Sequence, residues 1–305
     1  MDNGWFVIIN PISGGRKGLK TWQQTEQFLK DHAIPFQYAV TSQALDASDL
    51  SNNAILQGSR KILLIGGDGT INEVVNGVFT QDKVPTAEIT IGILSTGTGN
   101  DFIKTLNVPA GTQALPLLLQ NKTKLIDVGL ATYYLGQEQR QRYFINVAGM
   151  AFDAAVTRYA NLHKSNAGKL QYYWSLVKTL MTYKAGKINL VTDTGIELNE
   201  TCFCLDIGNG KYAGGGMMVA PQAVPDDGQF HITYFTDLSR WEVIQNIGKL
   251  FKGTFLGHPK VKTFTAKKVA VTAEELTYLE VEGETLGHTP CTFQIIPSSI
   301  KVLVP

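Results

Sequence analysis

KILLIGGDGTINEVVNG, residues 61–77, is the stretch whose reading decides the fold. Lys61 to Ile65 is an apolar run of strand length, and Ile71 to Phe79 carries apolar residues at helical spacing. Between them lie Gly66-Gly67-Asp68-Gly69-Thr70. Glycines let a backbone come close to a phosphate and take up positive φ. Thr70 then opens a helix whose first amides favour an anion. Asp68 would add charge where phosphates are already negative, so it makes chemical sense against a hydroxyl or a Mg²⁺ ion. The plain alternative is a tight strand–helix turn capped by Asp or Thr.

Outward from this stretch the same pattern recurs. Upstream, Phe6 to Ile9 reads as a strand followed by Asn10-Pro11-Ile12-Ser13-Gly14-Gly15-Arg16 and a helix from about Leu19 to Asp31. Phe36 to Thr41 is a second strand and Asp46 to Leu56 a second helix. Downstream, Ile89 to Leu94 runs into Ser95-Thr96-Gly97-Thr98-Gly99-Asn100-Asp101-Phe102. Strands alternating with helices predict an α/β domain with a parallel sheet, whose ligands bind beyond the strand C-termini. Three polar, glycine-rich loops at such ends converge on one crevice and predict a nucleotide site. Neither the Walker A spacing nor the G-x-G-x-x-G fingerprint occurs at the first loop. Arg16 or Lys17 could reach phosphates there, or stand in solvent.

From about residue 125 the texture changes. Leu125 to Gly129, Tyr143 to Val147, Lys187 to Val191, Thr201 to Ile207 and Gln229 to Phe235 read as strands, with turns such as Asp226-Asp227-Gly228. Short strands at this spacing predict a β-sandwich. Two helices interrupt it, around Gly168 to Tyr183 and Arg240 to Phe251. The expected division is 1–125 as a nucleotide-binding α/β domain, with the chain end at about 296–305 returning to it, and 126–295 as a β-rich domain.

The 305 residues are 44% hydrophobic and 17% charged, which is the composition of a folded globular chain. Lys and Arg number 27 against 26 Asp and Glu, so the net charge of +1 gives no reason to expect nucleic acid as a partner. Three cysteines, Cys202, Cys204 and Cys291, form neither a disulfide framework nor a zinc-type pair, which fits a reducing, cytoplasmic setting. The opening MDNGWFVIINP reads as no secretory leader. No run approaches the roughly 20 apolar residues that span a bilayer. The five histidines show no metal-ligand spacing.

Taken together, Asn10-Pro11 with its glycine-rich sequel, GGDGTINEVVNG from Gly66 and GTGNDF from Gly97 resemble the diacylglycerol kinase catalytic family. The likeness is to the compact bacterial lipid kinases, relatives of the sphingosine and ceramide kinases. It continues through GNGKYAGGGMMVAPQAVPDDGQF (Gly208 to Phe230) and VEGE (Val281 to Glu284) to the closing IPSSIKVLVP. GGDGT alone is shared with NAD kinases and phosphofructokinases; its combination with GTGNDF and the late elements is narrower. The resemblance implies a Rossmann-like N-terminal domain of the NAD kinase and phosphofructokinase type, with a C-terminal β-sandwich.

It also implies roles. Asn10, Ser13, Gly14 and Arg16 in the first loop, Thr41, Gly66, Gly67, Asp68, Gly69, Thr70, Ile71, Asn72, Glu73 and Thr98 match positions that hold ATP. Glu284 matches the catalytic base, and Asp68 a residue working with the nucleotide and its Mg²⁺. Asp227 matches a side chain holding a structural Mg²⁺, beside the backbone carbonyls of Val224 and Gln229. Glu282 stands where the family usually has Asp, which keeps the charge. Read without the resemblance, Glu284 after a strand at Thr277 to Val281 carries no assigned role, and Asp226-Asp227-Gly228 is a plain turn.

The near-zero charge hides an uneven distribution. From Asp153 to Asp193, and from Glu242 to Glu274, no acid intervenes, and the two runs hold 12 of the 27 basic residues. They are Arg158, Lys164, Lys169, Lys178, Lys184 and Lys187, then Lys249, Lys252, Lys260, Lys262, Lys267 and Lys268. Leu170, Trp174, Val177 and Met181, and Trp241, Ile244, Ile247 and Phe251, stand at helical spacing within or immediately beside them. Such helices suit an anionic membrane interface; equally, the apolar faces could pack on the sheet while the lysines are solvated. The expectation is an ATP- and Mg²⁺-dependent lipid kinase, cytoplasmic or peripheral on the inner membrane face. Its substrate would be a lipid alcohol, with diacylglycerol ahead of sphingoid alcohols, and its partners an anionic membrane surface and a second copy in a homodimer. The competing expectations are an NAD kinase and a non-catalytic nucleotide or lipid sensor.

Overall fold

WFVII, KILLIG and TIGILS are apolar along nearly their whole length, as central parallel strands covered on both faces must be. The computed structural model describes residues 4–163 and 169–305, with no side chains for 169–173. Lys164, and the side chains of Lys169 and Leu170, therefore lie outside the described residues. The chain forms two compact units, Met1–Asp127 with Ser298–Pro305, and Val128–Pro297.

In the first unit the elements run β1 (Trp5–Ile9), α1 (Ser13–Asp31), β2 (Phe36–Val40), α2 (Asp46–Leu56), β3 (Lys61–Gly66), α3 (Asp68–Thr80), β4 (Thr90–Ser95), α4 (Asp101–Thr105) and α5 (Pro116–Gln120). β2, β1, β3 and β4 lie side by side and parallel. β2 is the edge and the only one of the four that is mostly exposed. The other edge is closed by the chain end, where Lys301 and Val302 pair in parallel with Thr90 and Ile91. The buried Asp127 carboxylate accepts the Ser298 N–H at 2.7 Å, fixing the returning segment.

The second unit takes over within β5 (Thr123–Leu135) and continues through β6 (Glu138–Phe144), β7 (Val147–Ala151), α6 (Phe152–Leu162), α7 (Lys169–Thr182), β8 (Gly186–Thr192), β9 (Glu197–Cys202), β10 (Cys204–Gly208), β11 (Phe230–Phe235), α8 (Arg240–Lys252), β12 (Val261–Ala266), β13 (Lys268–Ala273), β14 (Tyr278–Val281) and β15 (Glu284–Leu303). The described strands here pair antiparallel. One path is β12-β11-β10-β7-β14-β15 and a second is β9-β8-β13-β15, so β15 belongs to both. Phe144, Phe230 and Phe293, with Met150, Leu190, Val269 and Leu279, fill one core between them. A second core lies under the helices, around Phe152, Leu176, Leu180, Phe203 and Phe255.

Two expected strands are cut differently, and a third helix, α6, joins the two expected here. Tyr143 to Val147 is not one strand: it divides between β6 and β7 where Glu282 Oε1 accepts the N–H groups of both Ile145 (2.6 Å) and Asn146 (2.7 Å). Thr201 to Ile207 divides at Phe203 because β9 pairs with β8 while β10 pairs with β7 and β11. α6 follows β7 without a loop, and within VAGMAFDAAV only Asp153 interrupts the apolar residues, so the change from strand to helix is weakly marked.

The two amphipathic helices divide their apolar residues between core and surface. On α7 it is Leu176 and Leu180 that are buried, whereas Trp174, Val177 and Met181 are at least half exposed. On α8, Val243, Ile247, Leu250 and Phe251 pack on the core, and Trp241 and Ile244 point away from it. α8 has a full capping box, Ser239 with Glu242, yet buries no residue completely. The charge reading changes too: Lys260 pairs with Glu242 at 2.8 Å, and Lys262 pairs with Glu200. No helix among the described residues is long and apolar enough to cross a membrane.

Three acids lie inside the second unit. Asp206 and Glu280 are buried with the half-buried Asp153 beside them, and desolvation pushes each carboxyl upward from its ordinary value. For Asp206 and Glu280 the neighbouring Asp153 charge adds to that push. An acid whose folded-state value is raised stabilises the fold fully below its unfolded value, near 4, and loses that contribution as pH rises toward the folded one. Asp206→Asn removes one such group, so the fall in unfolding temperature between pH 5 and pH 8 should be smaller in the variant. Calorimetry reads this directly, since 1 kcal/mol corresponds to about 2–4 °C in a chain of this class.

Candidate active site

β1 ends at Ile9, but the Asn10 N–H still donates to the Ile65 carbonyl at 2.8 Å, so the first loop leaves the sheet tied to β3. Asn10 Nδ2 donates to Thr70 Oγ1 at 3.0 Å. The Ser13 hydroxyl donates to the Asn10 carbonyl at 2.9 Å and lies 2.5 Å from Thr96 Oγ1. The Thr96 N–H in turn donates to the Gly66 carbonyl at 2.7 Å. The three glycine-rich loops thus meet through side chains from all of them.

Backbone approach completes the junction. Gly14, Gly15 and Arg16 have φ of 57°, 71° and 72°, three consecutive left-handed residues, so regular helix in α1 starts after them. A Cβ on Gly14 would lie 1.7 Å from the Thr96 carbonyl oxygen. At the second and third loops a Cβ on Gly97 would lie 2.8 Å from the Gly67 Cα. Only glycine permits either contact.

α3 begins at Asp68, with the extended Gly67 as its N-cap, rather than at Ile71 as its glycines suggested. Asp68, Gly69 and Thr70 are therefore the first helical turn, where unsatisfied amides and the helix dipole favour anions. Asp68 itself is turned aside: its Oδ1 accepts the N–H groups of Asp101 (3.0 Å) and Phe102 (3.3 Å) at the start of α4. Desolvation, and next the Asp101 charge, raise its carboxyl above the ordinary value despite those bonds. Gly99 sits against both acids, since a Cβ there would lie 3.0 Å from Asp68 Oδ2 and 3.2 Å from Asp101 Oδ2. Lys104 balances part of this charge, with its Nζ 2.8 Å from Asp101 Oδ1. Two carboxylate oxygens over one glycine fit a divalent cation that arrives with phosphates.

The other expected nucleotide residues fall into two groups. Gly66 ends β3, and Gly69, Thr98 and Arg16 are at the surface of this loop cluster or beside it. Thr41 is buried at the end of β2, its N–H bonded to the Ile9 carbonyl at 2.9 Å. Ile71 and Asn72 are buried within α3, and Glu73 accepts the Ala47 N–H at 3.2 Å, capping α2. Those three serve packing and helix ends in this structure. Sequence reasoning passed over Thr96 and Asp101, although both lie inside the loop it singled out.

In the second unit, Glu284 follows a turn in which Glu282 and Gly283 both have positive φ, 52° and 86°. The turn is pinned by Glu282, which holds Ile145 and Asn146, and by Glu280 Oε2, which accepts the Gly283 N–H at 2.7 Å. Glu282 thus makes the contacts a shorter Asp would make less easily. Glu284 is half exposed, and Arg142 Nη2 donates to its Oε2 at 3.1 Å.

The expected structural metal ligand, Asp227, is engaged by its own neighbours. Its Oδ1 accepts the Gln229 N–H at 3.2 Å, and His231 Nε2 lies 2.7 Å from Oδ2. Val224 is exposed nearby in sequence. No three His, Cys, Asp or Glu side chains among the described residues are grouped to hold a metal. Asp227 offers a single carboxylate, so an ion there would take its remaining ligands from carbonyls and water, and would compete with His231.

Comparison with known proteins identifies the class. Residues 4–131 match the diacylglycerol kinase catalytic domain, and 146–304 match the YegS C-terminal NAD kinase beta sandwich-like domain. The chain belongs to the diacylglycerol kinase catalytic family, as a lipid kinase of the type that carries this C-terminal sandwich. It is 27% identical over 301 residues to a diacylglycerol kinase of Mycobacterium tuberculosis, covering 98% of this chain and 94% of that one. It is 28% identical over 304 residues to one of Staphylococcus carnosus, again covering 98% and 94%. In fold it resembles a crystal structure of a diacylglycerol kinase from Bacillus anthracis str. Sterne, with TM-score 0.74, 22% identity, and 99% and 97% coverage.

Gly14→Ala forces a Cβ onto the Thr96 carbonyl and holds a non-glycine residue in the left-handed region, a strain of about 1–3 kcal/mol. ATP affinity should fall by roughly tenfold or more, the equivalent of about 1.4 kcal/mol. Calorimetric titration with ATP checks this, with far-ultraviolet circular dichroism unchanged.

Proposed function

We propose that the chain transfers the γ-phosphate of ATP, in the presence of Mg²⁺, to the free hydroxyl of diacylglycerol. The observation that carries this reading is the meeting of three phosphate-compatible loops around Asp68 and the first turn of α3. Phosphoryl transfer asks little covalent chemistry of a protein; it asks for positioning and charge neutralisation. The left-handed loop at Gly14 to Arg16 and the amides of Asp68 to Thr70 would cradle phosphate oxygens. Asp68 and Asp101 would hold the ion, which when bound supplies the positive charge that offsets the phosphates. Glu284, half exposed and held by Arg142, would accept the proton of the attacking lipid hydroxyl.

Membrane contact belongs to the same reading. Trp174, Val177 and Met181 on α7, and Trp241 and Ile244 on α8, are exposed apolar side chains. Lys178 lies over the Trp174 ring at 5.1 Å, and Arg240, Lys249 and Lys252 are exposed on α8. Aromatic and basic groups together suit the headgroup region of an anionic bilayer, where the acceptor hydroxyl resides.

Labelled phosphate from ATP, offered to diacylglycerol, sphingosine, ceramide and NAD in detergent micelles with Mg²⁺, should appear in phosphatidic acid. Label in NAD alone would make the NAD kinase reading correct, and no transfer at all would favour the sensor. Glu284→Gln should lower turnover by about 10²–10⁴, the usual worth of a general base, with ATP binding unchanged. In vesicle sedimentation, binding should rise with the anionic lipid fraction and fall with salt, and Trp174→Ser with Trp241→Ser should weaken it. Binding indifferent to both lipid charge and salt would remove the membrane contact from the reading.

A further inference from the structure

Arg142 stands in an unusual position for a residue that does nothing but fold the chain. It lies on β6, opposite Ala131 of β5, with a side chain only 14% exposed. Its Nη2 donates to Glu284 Oε2 at 3.1 Å, while its Nε is buried and has no hydrogen-bond partner. A buried donor left unmade costs stability, and an ion pair to a half-exposed acid returns little of it. Packing alone would be better served by an apolar side chain at this position. Arg140, two residues away on the same strand, is held by Glu138 and leaves Glu284 to Arg142.

We propose that Arg142 is a positioning residue of the phosphoryl transfer. It fixes one oxygen of Glu284, so that the other is directed at the acceptor hydroxyl. This rests on Glu284 being the base. The carboxylate sits at the mouth of a turn whose backbone is already clamped by Glu280 and Glu282. The side chain of Glu284 is then the last freely rotating part of the assembly, with three torsions between Cα and the oxygens. One guanidinium contact removes most of that freedom, which is the entropic part of a barrier that positioning supplies. The balance is simple: the lipid oxygen bonds to the γ-phosphorus of ATP as the bond from that phosphorus to the β–γ bridging oxygen breaks and ADP leaves with the electron pair, the hydroxyl proton passes to the second oxygen of Glu284, and Arg142 keeps its own proton throughout.

The experiment compares Arg142→Met, Arg142→Lys and Glu284→Gln in one assay of ATP-dependent diacylglycerol phosphorylation, with unfolding temperatures measured alongside. Support requires that Arg142→Met lower kcat at least tenfold, leave KM for ATP and lipid near the parent values, and keep or raise the unfolding temperature. Arg142→Lys should recover part of the lost kcat, and added guanidinium ion at millimolar concentration should partly rescue Arg142→Met. If Glu284→Gln is inactive while Arg142→Met turns over normally, the positioning role is wrong and the base assignment stands. If Arg142→Met loses activity together with its unfolding temperature, and neither lysine nor guanidinium restores kcat, Arg142 is structural only. If Glu284→Gln retains full turnover, the base assignment fails and this role fails with it.

Discussion

The first unit depends on two places where backbone touches backbone with no room for a side chain, Gly14 against Thr96 and Gly67 against Gly97. Sheets of this kind hold their strands 4.7–4.9 Å apart, and the loops that leave neighbouring strands would diverge if side chains kept them separate. Closing the gaps lets Asn10 reach Thr70 and Ser13 reach Thr96, so that each loop braces the next. The result is a rigid anion-facing surface made almost wholly of main chain. Much of its positive character comes from amide groups and a helix end, beside which Asp68 and Asp101 stand with Lys104 paired to Asp101.

The second unit solves a different problem. A turn must present one half-exposed carboxylate on a backbone that is held in place. Alternate residues of the strand entering the turn share the work, with Glu280 pointing inward to the Gly283 amide and Glu282 crossing to β6 and β7. Desolvation of Glu280, Asp153 and Asp206 pushes these carboxyls upward, toward the protonated state, and a side-chain hydrogen bond links Asp153 to Glu280. The arrangement sacrifices some stability at neutral pH for a backbone that cannot drift.

Much of this was legible in the amino acids. Period and glycine placement are local signals, so β1, β3 and β4 and the loops after them could be read directly, as could the family. Three kinds of information could not. The break between β6 and β7 is made by Glu282, a residue 136 positions further along, and no local pattern encodes it. Which face of α7 and of α8 meets the core could not be read, because both sides of each helix hold apolar residues, and only packing separates Leu176 and Leu180 from Trp174 and Val177. That Glu73 caps a neighbouring helix and that Ile71 and Asn72 are buried could not be read from the motif that contains them. Arg142 lay in an ordinary strand, and nothing but its distance from Glu284 brings it forward.

The hydrogen bond between Ser298 and Asp127 marks a place where the chain crosses between units twice. The second unit is an insertion into the first, and the first is one body made of two distant segments. During synthesis the parallel sheet emerges early, yet β4 keeps an unpaired edge until residues 298–305 arrive. Open edges of apolar strands are where chains associate wrongly. The order of manufacture therefore opposes the order of completion: the earliest sheet to leave the ribosome is the last to be sealed, and its safety in the interval depends on how quickly the inserted unit folds.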